Sequence, residues 1–207
     1  MNEKFFDLSK EKQDRIINGV LKVFAVSGYE QAATDEMVRE AGISKGLLFH
    51  YFETKLGAYR FVYNYVVRYL KLELGSSLES GFETPQETVQ GTLKLCTNIL
   101  RTYPYGLLFL RVAAKEQNEE ALEATASARE QTEGILRDMH RKAIVYEGDV
   151  SRLWKAMDYC LFGLMEEMLR TQTREDPFLA ENYLREADRF LELLVLPVGG
   201  VGRISAF

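Results

Sequence analysis

Apolar residues recur at helical spacing almost from the start of the chain. Ile17, Val20, Leu21 and Phe24 fall at i, i+3, i+4, i+7, the stripe of an amphipathic helix. That helix is predicted from Lys10 to about Val26, with Ser9 as N-cap and Gly28 closing it. Two short segments with one apolar face each follow, marked by Met37, Val38 and Ala41 and then by Leu47, Leu48 and Phe52. Ala41-Gly42-Ile43-Ser44 between them is a tight break, because Gly tolerates the positive φ that ends a helix and Ser44 can cap the next. Thr34 is the expected N-cap of the first short helix, with Asp35 and Glu36 favoured in its first turn by the helix dipole. Thr54 and Lys55 open a longer helix to about Leu74, striped by Tyr59, Tyr63, Val66 and Leu70.

Gly75 to Pro85 is a loop by its Gly, Ser and Pro content. From Gln86 the pattern is helical throughout. Val89, Leu93, Cys96 and Leu100 form one face, and Pro104 ends that helix. A short apolar helix spans Tyr105 to Ala114, and a longer one Glu119 to Tyr146, broken by Glu147-Gly148-Asp149. Val150–Thr173 and Phe178–Leu196 are two strong helices separated by Arg174 to Pro177. The tail from Pro197 holds too much Gly for a helix. No strand pattern or repeat competes, so the chain reads as all-α with about nine helices. It divides into a unit over 1–54, where two short helices meet at a turn, and a helical body over 55–207.

Charge changes this picture locally. The formal net charge is −5, but residues 1–60 hold 9 Lys/Arg and 9 Asp/Glu, and the deficit lies beyond them. A helix-turn-helix in a neutral segment holds phosphates with a few aimed groups and helix N-termini, not with a broad basic face. No segment approaches a membrane span or a signal-peptide core, and a cytoplasmic protein is expected. Cys96 and Cys160 are isolated, as small buried apolar residues usually are. His50 and His140 lack ligand spacing, so neither metal nor cofactor is expected. An all-α enzyme would need a nucleophile–base pair or a phosphate loop, and neither is evident.

Gly28-Tyr29, Met37-Val38, Ala41-Gly42-Ile43-Ser44-Lys45-Gly46, Leu48-Phe49-His50-Tyr51-Phe52 and Lys55 resemble the TetR family of bacterial transcriptional regulators over about the first 60 residues. The resemblance implies that the second short helix reads double-stranded DNA in the major groove. The implied DNA-binding residues are Thr34, Ser44, Lys45, Gly46, Leu47, Phe49, His50, Tyr51 and Lys55. Ala32 and Ala33 stand where the family often has hydroxyls, Leu47 where Thr or Asn is common, and Phe49 where Tyr is usual.

The resemblance further implies that the last two helices form a homodimer through Leu153, Met157, Cys160, Leu161, Leu164, Met168, Phe190 and Leu194. Two recognition helices would then lie roughly 34 Å apart and read a palindrome. The body is aromatic-rich, and Tyr59, Tyr63, Tyr103, Tyr105, Phe109, Tyr159 and Phe162 are candidates to line a small-molecule effector pocket. Glu166 or Glu167 would suit a cationic effector, and Arg101 or Arg111 an anionic one. The expected function is a homodimeric repressor released from a palindromic operator by an effector. The alternative is an architectural DNA binder with no ligand switch.

Overall fold

The computed structural model describes residues 3–78, 84–142, 150–171 and 178–195. Within them lie a 3-10 turn (Glu3–Phe5) and nine α-helices. These are α1 (Lys10–Gln31), α2 (Thr34–Ala41), α3 (Lys45–Phe52), α4 (Lys55–Leu78) and α5 (Pro85–Thr102), then α6 (Gly106–Ala113), α7 (Glu119–Lys142), α8 (Val150–Thr171) and α9 (Ala180–Val195). The architecture is all-α. The expected breaks at 147–149 and 174–177, and the tail from Pro197, lie outside the described residues.

Helix ends follow local chemistry. Thr84 caps α5 by accepting from the Glu87 N–H at 3.1 Å, with Pro85 in the first turn, where a missing N–H costs nothing. Asn118 caps α7 through its Oδ1 and the Ala121 N–H, 3.0 Å apart. Gly28 leaves helical geometry (φ 70°, ψ 176°) and ends the first helical stretch of α1 where expected, a short further piece reaching Gln31 beyond the kink. Ser9 holds the N-cap position without a side-chain cap bond.

α1, α2 and α3 pack into one unit. α1 buries Ile16, Ile17, Val20, Leu21 and Phe24, α2 buries Met37 and Ala41, and α3 buries Leu48, Tyr51 and Phe52. Phe5 is fully buried beneath them, its ring 5.2 to 5.6 Å from those of Tyr51, Phe52 and Phe61.

This unit shares one core with the body. Phe24 of α1 meets Tyr59 of α4 edge-on at 5.0 Å, and Tyr59 meets Phe109 of α6 at 5.5 Å. Each such pair adds roughly 0.5–1.5 kcal/mol beyond simple burial. On the far side α9 packs along α5 and α8. Its buried Tyr183 donates to the Leu161 carbonyl of α8 at 3.0 Å.

Candidate nucleic-acid interface

Residues 34–52 form a closed helix-turn-helix. Gly42 ends α2 in the left-handed region (φ 64°, ψ 39°), a conformation costly for a residue with a Cβ. The Ile43 N–H reaches back to the Val38 carbonyl at 3.1 Å, satisfying an end carbonyl of α2. Ser44 then accepts from the Leu47 N–H at 3.2 Å and starts α3. Only eight residues long, α3 turns Leu48, Tyr51 and Phe52 into the core. Ser44, Lys45, Gly46, Leu47, Phe49 and His50 are left at the surface as one continuous outer face.

The structure sorts the expected DNA contacts. Thr34 is the first residue of α2 and not its cap; Ala33 holds the cap position, so no side chain serves the first N–H groups. Tyr51 is only 7% exposed and packs on Phe5, so it belongs chiefly to the core. Lys55, expected at a phosphate, donates instead to the Glu30 carbonyl at 2.9 Å and lies over the Tyr29 ring at 4.9 Å, tying α4 to the end of α1. Lys45 pairs with Asp35 at 2.7 Å, both side chains being largely exposed. Such a surface pair is worth at most about 1 kcal/mol, so a phosphate can displace Asp35.

Three cations near this face do not stand out in the sequence. Lys12 and Arg15 of α1 and Arg39 of α2 border a cleft of about 490 Å³ with Gly42, Ser44 and Leu47. Lys12 and Arg15 stand three apart on the polar side of α1, a spacing visible in sequence. Nothing in the sequence shows that this side of α1 faces the turn.

Residues 16–57, which include the whole helix-turn-helix, match the family model for bacterial regulatory proteins, tetR family. What this match shows is a helix-turn-helix of the TetR type over residues 16–57. The chain is 38% identical over 48 residues to the uncharacterized HTH-type transcriptional regulator TtgW of Pseudomonas putida, covering 23% of this chain and 36% of that protein. It is 44% identical over 46 residues to the uncharacterized HTH-type transcriptional regulator YuxN of Bacillus subtilis, covering 22% of this chain and 16% of that one. The matches thus span well under two thirds of either relative. Over the whole chain the likeness is one of fold. The TetR-family regulator PfmR from Thermus thermophilus superposes with a TM-score of 0.55 at 20% identity, over 90% of this chain and all of that one.

The helix-turn-helix unit is bound to the body by a ladder of polar contacts along α1. Lys10, Asp14, Asn18 and Lys22 recur every four residues. Asp14 accepts from Lys10 Nζ at 2.6 Å and from the Tyr103 hydroxyl at 2.7 Å. The Tyr65 and Tyr103 hydroxyls lie 2.8 Å apart. Asn18 donates to the Thr102 carbonyl at 2.9 Å, while Lys22, one turn further on, pairs with Glu40 of α2 at 2.7 Å and so ties α1 to α2 within the unit. Burial, and then the Tyr65 hydroxyl and the Asp14 carboxylate, hold the Tyr103 phenol well above its ordinary pKa. It remains a neutral donor.

Among the described residues the candidate pocket residues fall into several separate ring contacts. Tyr59, Tyr63 and Phe109 pack edge to face on one another. Tyr103 lies against Tyr65 and Tyr69, and Tyr105 against Phe178. Phe162 sits beneath Arg111, whose guanidinium is 4.9 Å from its ring centre. Glu166 is exposed, 4.0 Å from Lys115, and Tyr159 is 62% exposed.

The candidate dimer residues also divide. Met157 and Leu161 are buried within the single chain, so they fill its own core and are not free for a partner. Leu153, Cys160, Leu164, Met168 and Leu194 are half-buried, and Phe190 is 48% exposed. Leu193, on the same α9 stripe as Phe190 and Leu194, is 63% exposed, and Tyr159 of α8, not assigned to this surface from sequence, is also largely exposed.

Proposed function

We propose that the chain is a homodimeric transcriptional regulator of the bacterial cytoplasm that reads a palindromic DNA operator and releases it when a small molecule binds the body. The observation carrying this reading is the outer face of α3. Ser44, Lys45, Gly46, Leu47, Phe49 and His50 lie together at the surface of a helix whose other side is locked into the core. A helix presented in this way fits the major groove, its first turn toward base edges. The regulators that it resembles support the same role. Pairing of the α8–α9 surfaces through Tyr159, Phe190 and Leu193 would bring two copies of α3 onto one side of the duplex.

An effector acts on such a dimer only if it binds the DNA-competent and released arrangements unequally. The ladder from α1 to Thr102 and Tyr103 supports a route between them. It holds the reading unit to the corner between α5 and α6, so a shift of that corner carries α1 with it. A second reading, a constitutive DNA binder, is favoured by the body's core: Tyr59, Tyr103 and Phe109 are fully buried against other rings, leaving them no room for a ligand in this arrangement.

Selection of bound fragments from a random duplex pool with the purified protein tests the DNA role. A symmetric motif with half-sites about one turn apart is the expected result, and recovery of no motif overturns it. Screening small molecules for release of the selected duplex then separates the two readings.

A further inference from the structure

We infer that the cleft between α1 and the turn of the helix-turn-helix is a DNA-backbone site, in which Lys12 and Arg15 grip phosphates beside the base pairs read by α3. This rests on the proposed DNA role and extends it to a helix whose sequence pattern pointed only to packing.

Most cations of the N-terminal unit are already engaged. Lys10 pairs with Asp14, Lys22 with Glu40, Arg39 with Glu36 and Lys45 with Asp35, at 2.6 to 3.1 Å. Lys55 is held by the Glu30 carbonyl. Lys12 and Arg15, both exposed, make no ion pair among the described residues. Glu11 stands one turn before Arg15, the usual i, i+4 partner, yet no pair forms. Arg15 leans across the turn instead, its Nε 3.8 Å from where a Cβ on Gly42 would lie. The guanidinium thus lies beside the point where α2 ends.

Both uncommitted cations therefore face one cleft, and that cleft reaches the start of the reading helix at Ser44 and Leu47. Its cationic rim is completed by Arg39, and Ile43 and Leu47 supply an apolar flank. This combination suits a sugar–phosphate backbone. Phosphate oxygens accept charge-assisted bonds from Arg and Lys, while deoxyribose packs on the apolar side. A duplex seated on the outer face of α3 must run its backbone past the first turn of that helix, where the cleft opens. Contacts of this kind set register and affinity without reading sequence.

The test measures binding of the full-length protein to its selected duplex and to an unrelated duplex of equal length, across a range of salt concentrations. Lys12→Ala and Arg15→Ala should each weaken binding by the same factor on both duplexes. Each should flatten the log affinity against log salt plot by about one unit per lost contact in each subunit. Arg15→Lys should keep most of the slope, and melting temperatures should not move, since both side chains are exposed. Inorganic phosphate, titrated at constant ionic strength, should not compete measurably with duplex. Competition at low concentration would make the cleft a free-phosphate site and overturn the backbone role. A Lys12→Ala/Arg15→Ala double variant with wild-type affinity and slope overturns the inference while leaving the DNA role intact. Wild-type protein that binds neither duplex overturns the DNA role and this inference together.

Discussion

Leu47 is 41% exposed in the first turn of α3, while its own N–H is held by Ser44. An apolar side chain there can reward a thymine methyl or exclude a polar base edge, but it can form no hydrogen bond with a base. Leu47→Thr is therefore expected to leave the melting temperature nearly unchanged and to alter preference at one symmetric pair of operator positions by roughly 1–3 kcal/mol. Melting curves beside a panel of single-base operator variants check it; a large loss of stability with an unchanged preference profile would remove Leu47 from the reading face. Asp35 offers a second test on the same face. It occupies Lys45 at 2.7 Å, a partner that any phosphate must displace. Asp35→Asn should tighten binding a few-fold on every duplex, since the exposed pair is worth about 0.2–1 kcal/mol. Equal affinity in anisotropy titrations would show that Lys45 meets no phosphate. At this scale the sequence was legible where one residue acts through its own backbone, as at Gly42 and Ser44. It was not legible where the partner is remote. Nothing near Lys55 in the chain announces Tyr29 or the Glu30 carbonyl, and Thr34 misses the cap because α2 begins one residue earlier than its hydroxyl suggested.

Among elements, the contact between α1 and α2 sets where the reading helix stands. Gly19 sits where the two backbones nearly touch: a Cβ added there would lie 2.4 Å from the Ala41 nitrogen and 2.6 Å from its Cα. The obstacle is main chain and cannot rotate away. Helix propensity alone predicts that Gly19→Ala stabilises α1 by roughly 0.5–1 kcal/mol. The close approach predicts the opposite sign, a loss of about 1–3 kcal/mol as α1 and α2 separate. Chemical denaturation decides between them, and a more stable variant would mean that the helices are not in this register. The helices themselves were readable because a 3.6-residue period survives any tertiary arrangement. The distance between two helices leaves no such period, which is why Gly19 passes as an ordinary residue beside the stripe. The aromatic residues are ambiguous in sequence for a related reason. Tyr59, Tyr103 and Phe109 share helical spacing and composition with pocket-lining residues, and only their ring contacts place them in packed core.

At the scale of the whole molecule, the reading unit is joined to the body both by the edge-on ring contacts of Phe24, Tyr59 and Phe109 and by the ladder from Lys10 to Asn18. The body in turn presents exposed apolar residues on α8 and α9. Phe190 and Leu193 at 48% and 63% exposure, with Tyr159 on α8, are costly to leave in water and are the surface on which a second copy is proposed to dock. Met157 differs from them although it falls on the α8 stripe expected to meet a partner, for it is buried in its own chain. Two substitutions therefore separate assembly from folding. Phe190→Glu places a charge in the proposed contact, where desolvation without a partner is strongly unfavourable, and should yield a monomer with nearly unchanged helix content. Met157→Ala opens a cavity in the protomer core and should cost roughly 2–5 kcal/mol of stability while the folded protein stays dimeric. Sedimentation velocity and thermal melting, run on both variants, give four readings. The monomeric Phe190→Glu protein should also bind a single half-site far more weakly than the wild-type dimer binds the full palindrome, because only a dimer engages both half-sites at once. If Phe190→Glu remains a dimer with full operator affinity, α9 lies outside the interface, and its exposed apolar residues need another explanation.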